Sequence, residues 1–186
     1  MNREEALQLY KKYNSTESLL RHSLSVEAVM RHFAQHFNED VEYWGNVGLL
    51  HDIDYELYPQ EHLKKAPEML KEANVDEKTI RAVLSHGWKI VTDVEPVHIM
   101  EKVLYTIDEL TGLVSATALM RPSKSLMDLN VKSVKKKFKT KGFSANVNRE
   151  IILKGVELVG LEFDKIIELT IEGMRAINEE LGFNSI

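Results

Sequence analysis

A chain of 186 residues with 24 basic and 29 acidic side chains has a net charge of −5, which argues against general nucleic-acid binding, since attraction to phosphate needs the opposite sign. It contains no cysteine, so disulfides, thiolate metal ligands and a cysteine nucleophile are excluded, and any metal must be held by nitrogen and oxygen. Met1 leads into polar Asn2-Arg3-Glu4-Glu5 and no apolar run reaches bilayer-spanning length, so a cytoplasmic protein away from membranes is expected.

Apolar residues recur at three- and four-residue intervals, interrupted by only four prolines and nine glycines, so an all-α domain is expected. A first long helix is predicted over residues 15–37, opening at the polar Asn14-Ser15-Thr16-Glu17. Its apolar stripe of Leu19, Val26, Val29, Phe33 and Phe37 includes His22. A second helix over 41–51 should stop at His51-Asp52, because Asp54, Tyr55 and Pro59 break the pattern. Further helices are predicted near 59–73, 76–86 and 97–117, with Gly87 stopping the second of these. Residues 121–141, with Pro122, Ser123, Ser125, Ser133 and many lysines, read as an elaboration of a single domain spanning 1–186 and as a candidate lid. Two helices over 147–158 and 163–181 complete the chain, with Gly182 closing the last.

The feature richest in chemistry is Gly48-Leu49-Leu50-His51-Asp52-Ile53-Asp54-Tyr55, where an imidazole and a carboxylate follow residues expected to be packed inside. A buried carboxylate must be paired or bound to a cation, and an adjacent imidazole points to a mixed nitrogen and oxygen metal site. Taken alone, the pair reads more simply as a capped helix end with a satisfied core histidine. Two further polar misfits change the balance: His22 on its apolar stripe, and Asp108 inside Val103-Leu104-Tyr105-Thr106-Ile107-Asp108.

The order His, then His-Asp, then a distant Asp, each on helices, resembles the HD-domain metal-dependent phosphohydrolase superfamily over roughly residues 15–117. The resemblance implies an HD-domain helical bundle in which His22, His51, Asp52 and Asp108 ligate a divalent cation. It also implies a second ion in two-metal members, held by residues matching His62 and His86 and bridged by Asp52; HD-type diadenosine polyphosphate hydrolases are such relatives. One or two divalent transition metal ions (Mn, Fe, Co, Ni or Zn) are the expected cofactor. A metal-activated water attacking phosphorus in a nucleotide or other small phosphoester is the implied reaction. An HD-type di-iron oxygenase and a non-catalytic nucleotide-binding module are the alternatives. The small phosphorylated substrate is the expected partner, and a homodimer is compatible with the sequence.

Charge stabilisation would require a cation near the phosphoryl group, and Lys89, Arg121, Lys124 and the run Lys132, Lys135, Lys136, Lys137, Lys139, Lys141 are available. Lys89 and Arg121 are the catalytic candidates beside Asp52, although most of the run also reads as a solvated helix face. Asp54 and Glu109 flank the expected ligands; helix-end solvation explains them as well as an imidazole-holding role does. His32 and His36 share a helix face at a chelating spacing but have no obvious third ligand, and His98 at a helix start matches nothing in the family pattern.

Overall fold

Side-chain caps set most of the helix starts in the computed structural model, which describes residues 1–186 and contains nine α-helices and no strand. These are α1 (Arg3–Tyr13), α2 (Glu17–Phe37), α3 (Val41–Leu50), α4 (Ala66–Glu72), α5 (Glu77–Ser85), α6 (Ile99–Leu119), α7 (Val131–Lys139), α8 (Arg149–Val159) and α9 (Phe163–Arg175). Asp40, Asp76, Asn130 and Asn148 accept the first free amides of α3, α5, α7 and α8. His98 caps α6, its Nδ1 accepting the Met100 N–H at 3.1 Å while the Glu101 carboxylate accepts the Val97 and His98 amides.

Two predicted helices differ from those observed, and α1 lies outside every predicted span. α1 was not expected, because it buries only Ala6 and Tyr10, a stripe too thin to stand out; its signal is the capping box of Asn2 and Glu5. The helix predicted over 59–73 is split into a 3₁₀ turn, Pro59–Glu61, and α4, with Leu63 between them in the left-handed region at φ 62°. A branched residue rarely adopts that conformation, and here it is held by burial of the Leu63 side chain beside Ala66 and Leu70. The final helix ends at Arg175, well before Gly182, because Asn178 turns inward and accepts the Leu126 N–H at 3.0 Å.

α2 is the central element and packs on α3, α6 and α9. Its Val26, Val29, Met30 and Phe33 join Trp44, Val47, Leu104, Ile107, Ile166 and Ile167 in a core of 28 buried residues. A smaller core of 11 residues, including Ala6, Tyr10, Leu49, Leu50, Leu70, Ile80 and Val83, lies beside it. α3 contributes to both cores and is buried on every side from Trp44 to Leu50. Its contact with α2 needs Gly48, where a Cβ would stand 2.9 Å from Met30 Cγ and 3.1 Å from the Val26 carbonyl. The helices thus bring the end of α3 and the middle of α2 together where the two cores meet.

Candidate metal centre

His22 projects from α2, His51 caps the end of α3, Asp52 follows it, and Asp108 comes from α6. The Nε2 atoms of His22 and His51 are 3.2 Å apart. Asp108 Oδ1 lies 2.9 and 3.3 Å from those two nitrogens, and Asp52 Oδ2 lies 3.6 and 3.3 Å from them. His62, following the 3₁₀ turn, and His86, capping α5, form a second pair with Nε2 atoms 3.3 Å apart. Asp52 Oδ1 is 3.4 Å from both of them. One carboxylate therefore faces two imidazole pairs, one with each oxygen.

Ring tautomers follow from the remaining hydrogen bonds. His51 donates Nδ1–H to the Gly48 carbonyl at 2.7 Å, His86 donates to the Val83 carbonyl, and His62 donates to Asp54 at 2.8 Å. Each of these rings consequently presents its Nε2 inward. Between His62 and His86 the two Nε2 atoms face one another at 3.3 Å, a spacing that a shared cation would suit. The carboxylates say the same. Burial alone would push the His51 imidazolium down, but Asp52 and Asp108 outweigh it and raise its pKa well above the usual value. Burial would likewise raise the carboxyl of Asp52, but His51 and His86 outweigh it and hold that carboxyl well below the carboxylate range. At Asp108 the same contest is won by His22 and His51. The cluster stabilises positive charge.

The donors fit a divalent metal. With metal–ligand bonds of about 2.1 Å, neighbouring ligands should lie about 3.0 Å apart in an octahedron and about 3.4 Å apart in a tetrahedron. The separations given above span 2.9 to 3.6 Å. His22, His51 and Asp108, and again His51, Asp52 and His86, form compact groups able to hold an ion.

Behind these donors, Asp54 is fully buried and accepts both the His62 ring N–H and the Ala66 N–H, the latter at 2.9 Å. Sequence left its role open between solvation and support; the structure assigns it to orienting His62. The only signal in the sequence was a second carboxylate two residues beyond Asp52.

A cavity of about 530 Å³ opens over the centre. Its wall includes Leu19, Tyr55, Ile90, Val91, Glu109, Asn146 and Val147 besides all the donors except the fully buried His51. Burial pushes the Glu109 carboxyl up, against the hydrogen bond that it accepts from the Asn148 N–H at 2.9 Å. The loop bearing Asn146 and Val147 is pinned by Arg149, whose guanidinium donates to the carbonyls of Phe138, Phe143, Ser144 and Val147. A second cavity of about 610 Å³ lies between α3, α5 and α6, but its His98 is occupied in capping α6 and its Glu101 is paired with Arg81.

The expected cations are elsewhere. Arg121 is at the far end of α6 and is bound to Asp128 at 2.6 Å, while the Lys89 ammonium lies over the Trp88 ring, 4.3 Å from its centre. Neither lines the cavity, nor does any residue of 121–141, so the lid reading of that segment fails as well. α7 instead packs Val134 into the large core and turns its lysines outward; Lys135 pairs with Asp164. The part of the chain that reaches the site comes later, at Asn146 and Val147. His32 is bonded to Glu172 of α9 at 3.0 Å, away from the centre.

An all-helical bundle carrying clustered imidazoles and carboxylates where its cores meet defines a class of metal-binding helical domains. The HD domain family model matches residues 19–114, just over half of the chain and every residue of the cluster, and the protein belongs to that metal-dependent phosphohydrolase superfamily. The family points to metal-dependent hydrolase activity. No curated protein and no solved structure shows significant similarity to the chain. No helix is long and apolar enough to cross a membrane.

Proposed function

We propose that the protein is a metal-dependent phosphohydrolase acting on a nucleotide or another small phosphoester. The observation that carries this reading is the carboxylate of Asp52 facing two imidazole pairs, at 3.3 to 3.6 Å through one oxygen and 3.4 Å through the other. In this reading His22, His51, Asp108 and one oxygen of Asp52 hold one divalent cation, and His62, His86 and the other oxygen hold a second. Such ions supply a water of lowered pKa and neutralise charge on phosphoryl oxygens. The ring hydrogen bonds of His51, His62 and His86 engage Nδ1, so that Nε2 is the atom offered to the ions, and fix the ring planes. Nitrogen-rich donors suit Mn, Fe, Co, Ni or Zn better than Mg or Ca. The cavity is of small-molecule size, so the phosphoryl group rests over Asp52 and the organic part extends toward Tyr55, Ile90, Val91 and Val147. Lys89 and Arg121 do not line the cavity and are given no part in this reading.

The test is elemental analysis of the isolated protein, followed by phosphate release from nucleoside mono-, di- and triphosphates and dinucleoside polyphosphates with Mn, Fe, Co or Ni. Asp52→Ala is expected to lose bound metal and to lower activity by more than about a thousandfold, because groups that act as a unit fail together. Its far-UV circular dichroism should be unchanged. Retained activity in that variant would refute the reading. Oxygen consumption with iron and no phosphate release would replace it with an oxygenase.

A further inference from the structure

The wall of the site cavity is distinctive in its charge. None of its 15 lining residues is lysine or arginine, while three, Asp52, Asp108 and Glu109, are carboxylates. The basic side chains nearest in the chain are committed elsewhere: Arg21, beside His22, on Glu17; Lys89 on the Trp88 ring; and Arg149 on the carbonyls of its own loop. Polyphosphate sites need several cationic donors, because each added phosphoryl group brings charge that must be matched. Asp52 and Asp108 are directed at the ion-binding cluster, which leaves the Glu109 carboxylate as the charge facing whatever lies beyond the reacting phosphoryl group. The same rim carries apolar groups left open to solvent. Tyr55, Ile90 and Val91 are 42%, 58% and 43% exposed and line this cavity. Exposed apolar side chains gathered at a cleft favour an apolar or aromatic surface on the ligand.

Building on the phosphohydrolase reading, we infer that the substrate is a phosphate monoester with a single phosphoryl group, joined to an uncharged body that presents an apolar or aromatic face. Diphosphates and triphosphates are rejected because their further phosphates must lie beside Glu109 with no cationic side chain to receive them. Glu109 is thus a specificity-determining residue.

Three probes decide it: adenosine 5′-monophosphate, diphosphate and triphosphate, compared at saturating free Mn²⁺ for phosphate release and, by calorimetry, for binding. The monophosphate is expected to exceed the triphosphate by at least about tenfold in kcat/KM and in affinity, as like-charge juxtaposition demands. Glu109→Gln, which retains an acceptor for the Asn148 amide, should narrow that ratio at an unchanged melting temperature. Equal or better use of the triphosphate would overturn the inference, and an unmoved ratio in Glu109→Gln would overturn the role given to that residue. If no probe releases phosphate, the hydrolase reading fails while binding still decides this one: selective binding of the monophosphate sustains it, and absence of selectivity ends it.

Discussion

The two imidazole pairs share a carboxylate but stand on different foundations. His22, His51 and Asp108 come from α2, α3 and α6, whose apolar faces supply much of the 28-residue core. His62 hangs on a loop after a three-residue 3₁₀ turn, and His86 ends the nine-residue α5, which packs mainly on the 11-residue core. Side chains on long packed helices are held in place by the fold itself, whereas a loop histidine needs a partner of its own. Asp54 is that partner, buried at the price of its hydration and repaid by two hydrogen bonds. The first pair should therefore form a tight site and the second a weaker one.

The largest expected effect breaks this asymmetry directly. His51→Ala should strip the protein of both ions, since that ring faces both Asp108 and the shared Asp52. His62→Ala should leave the first ion in place and weaken the second by more than about a hundredfold. Metal stoichiometry after dialysis measures both, and equal retention in the two variants would show that the foundations do not differ.

A smaller effect isolates the support from the ligand. Asp54→Asn keeps the size of the side chain but weakens its grip on the His62 ring, so affinity for the second ion should fall by about ten- to a hundredfold with the first unchanged. Titration with Mn²⁺ followed by calorimetry resolves the two sites. Loss of the first ion in this variant would mean that the pairs are coupled through more than Asp52.

The smallest effect concerns how the motif turn is tied to α2. Glu56 accepts the Ser15 and Thr16 amides at 2.9 and 3.0 Å and the Ser15 hydroxyl at 2.7 Å. These bonds hold its carboxyl down to about 2 from an ordinary value of 4.5. A folded pKa below the unfolded one means that stability is present in full above pH 4.5 and is lost as pH falls toward 2. Glu56→Gln should thus melt at a lower temperature than the parent at pH 6.5, with the gap narrowing by pH 3.5. A gap independent of pH would show that the charge of Glu56 contributes nothing to the tether.

Residues such as His22 and Asp108 were legible because each is a polar side chain inside an otherwise apolar helical stripe, and helical periodicity is a local property that needs no coordinates. The same local logic located α2, α3, α5 and α6 to within about two residues at most ends, which is the scatter of helix boundaries themselves. It missed α1, whose stripe is two buried residues wide, and it ran one helix through 59–73, where Leu63 takes a left-handed turn that only its packing sustains. Charge misled most. Lys89 and Arg121 were offered to the site but do not line it, whereas the lysine run, read mostly as a solvated helix face, does turn to solvent as α7 packs Val134 into the core. The amino-acid sequence by itself determined most of the helices, the absence of sulfur ligands and which side chains could bind a metal. Only tertiary packing decided that one oxygen of Asp52 meets each imidazole pair, that Asp54 supports His62, and that no lysine or arginine lines the cavity, because distances between remote helices are set by how cores fill and not by spacing along the chain.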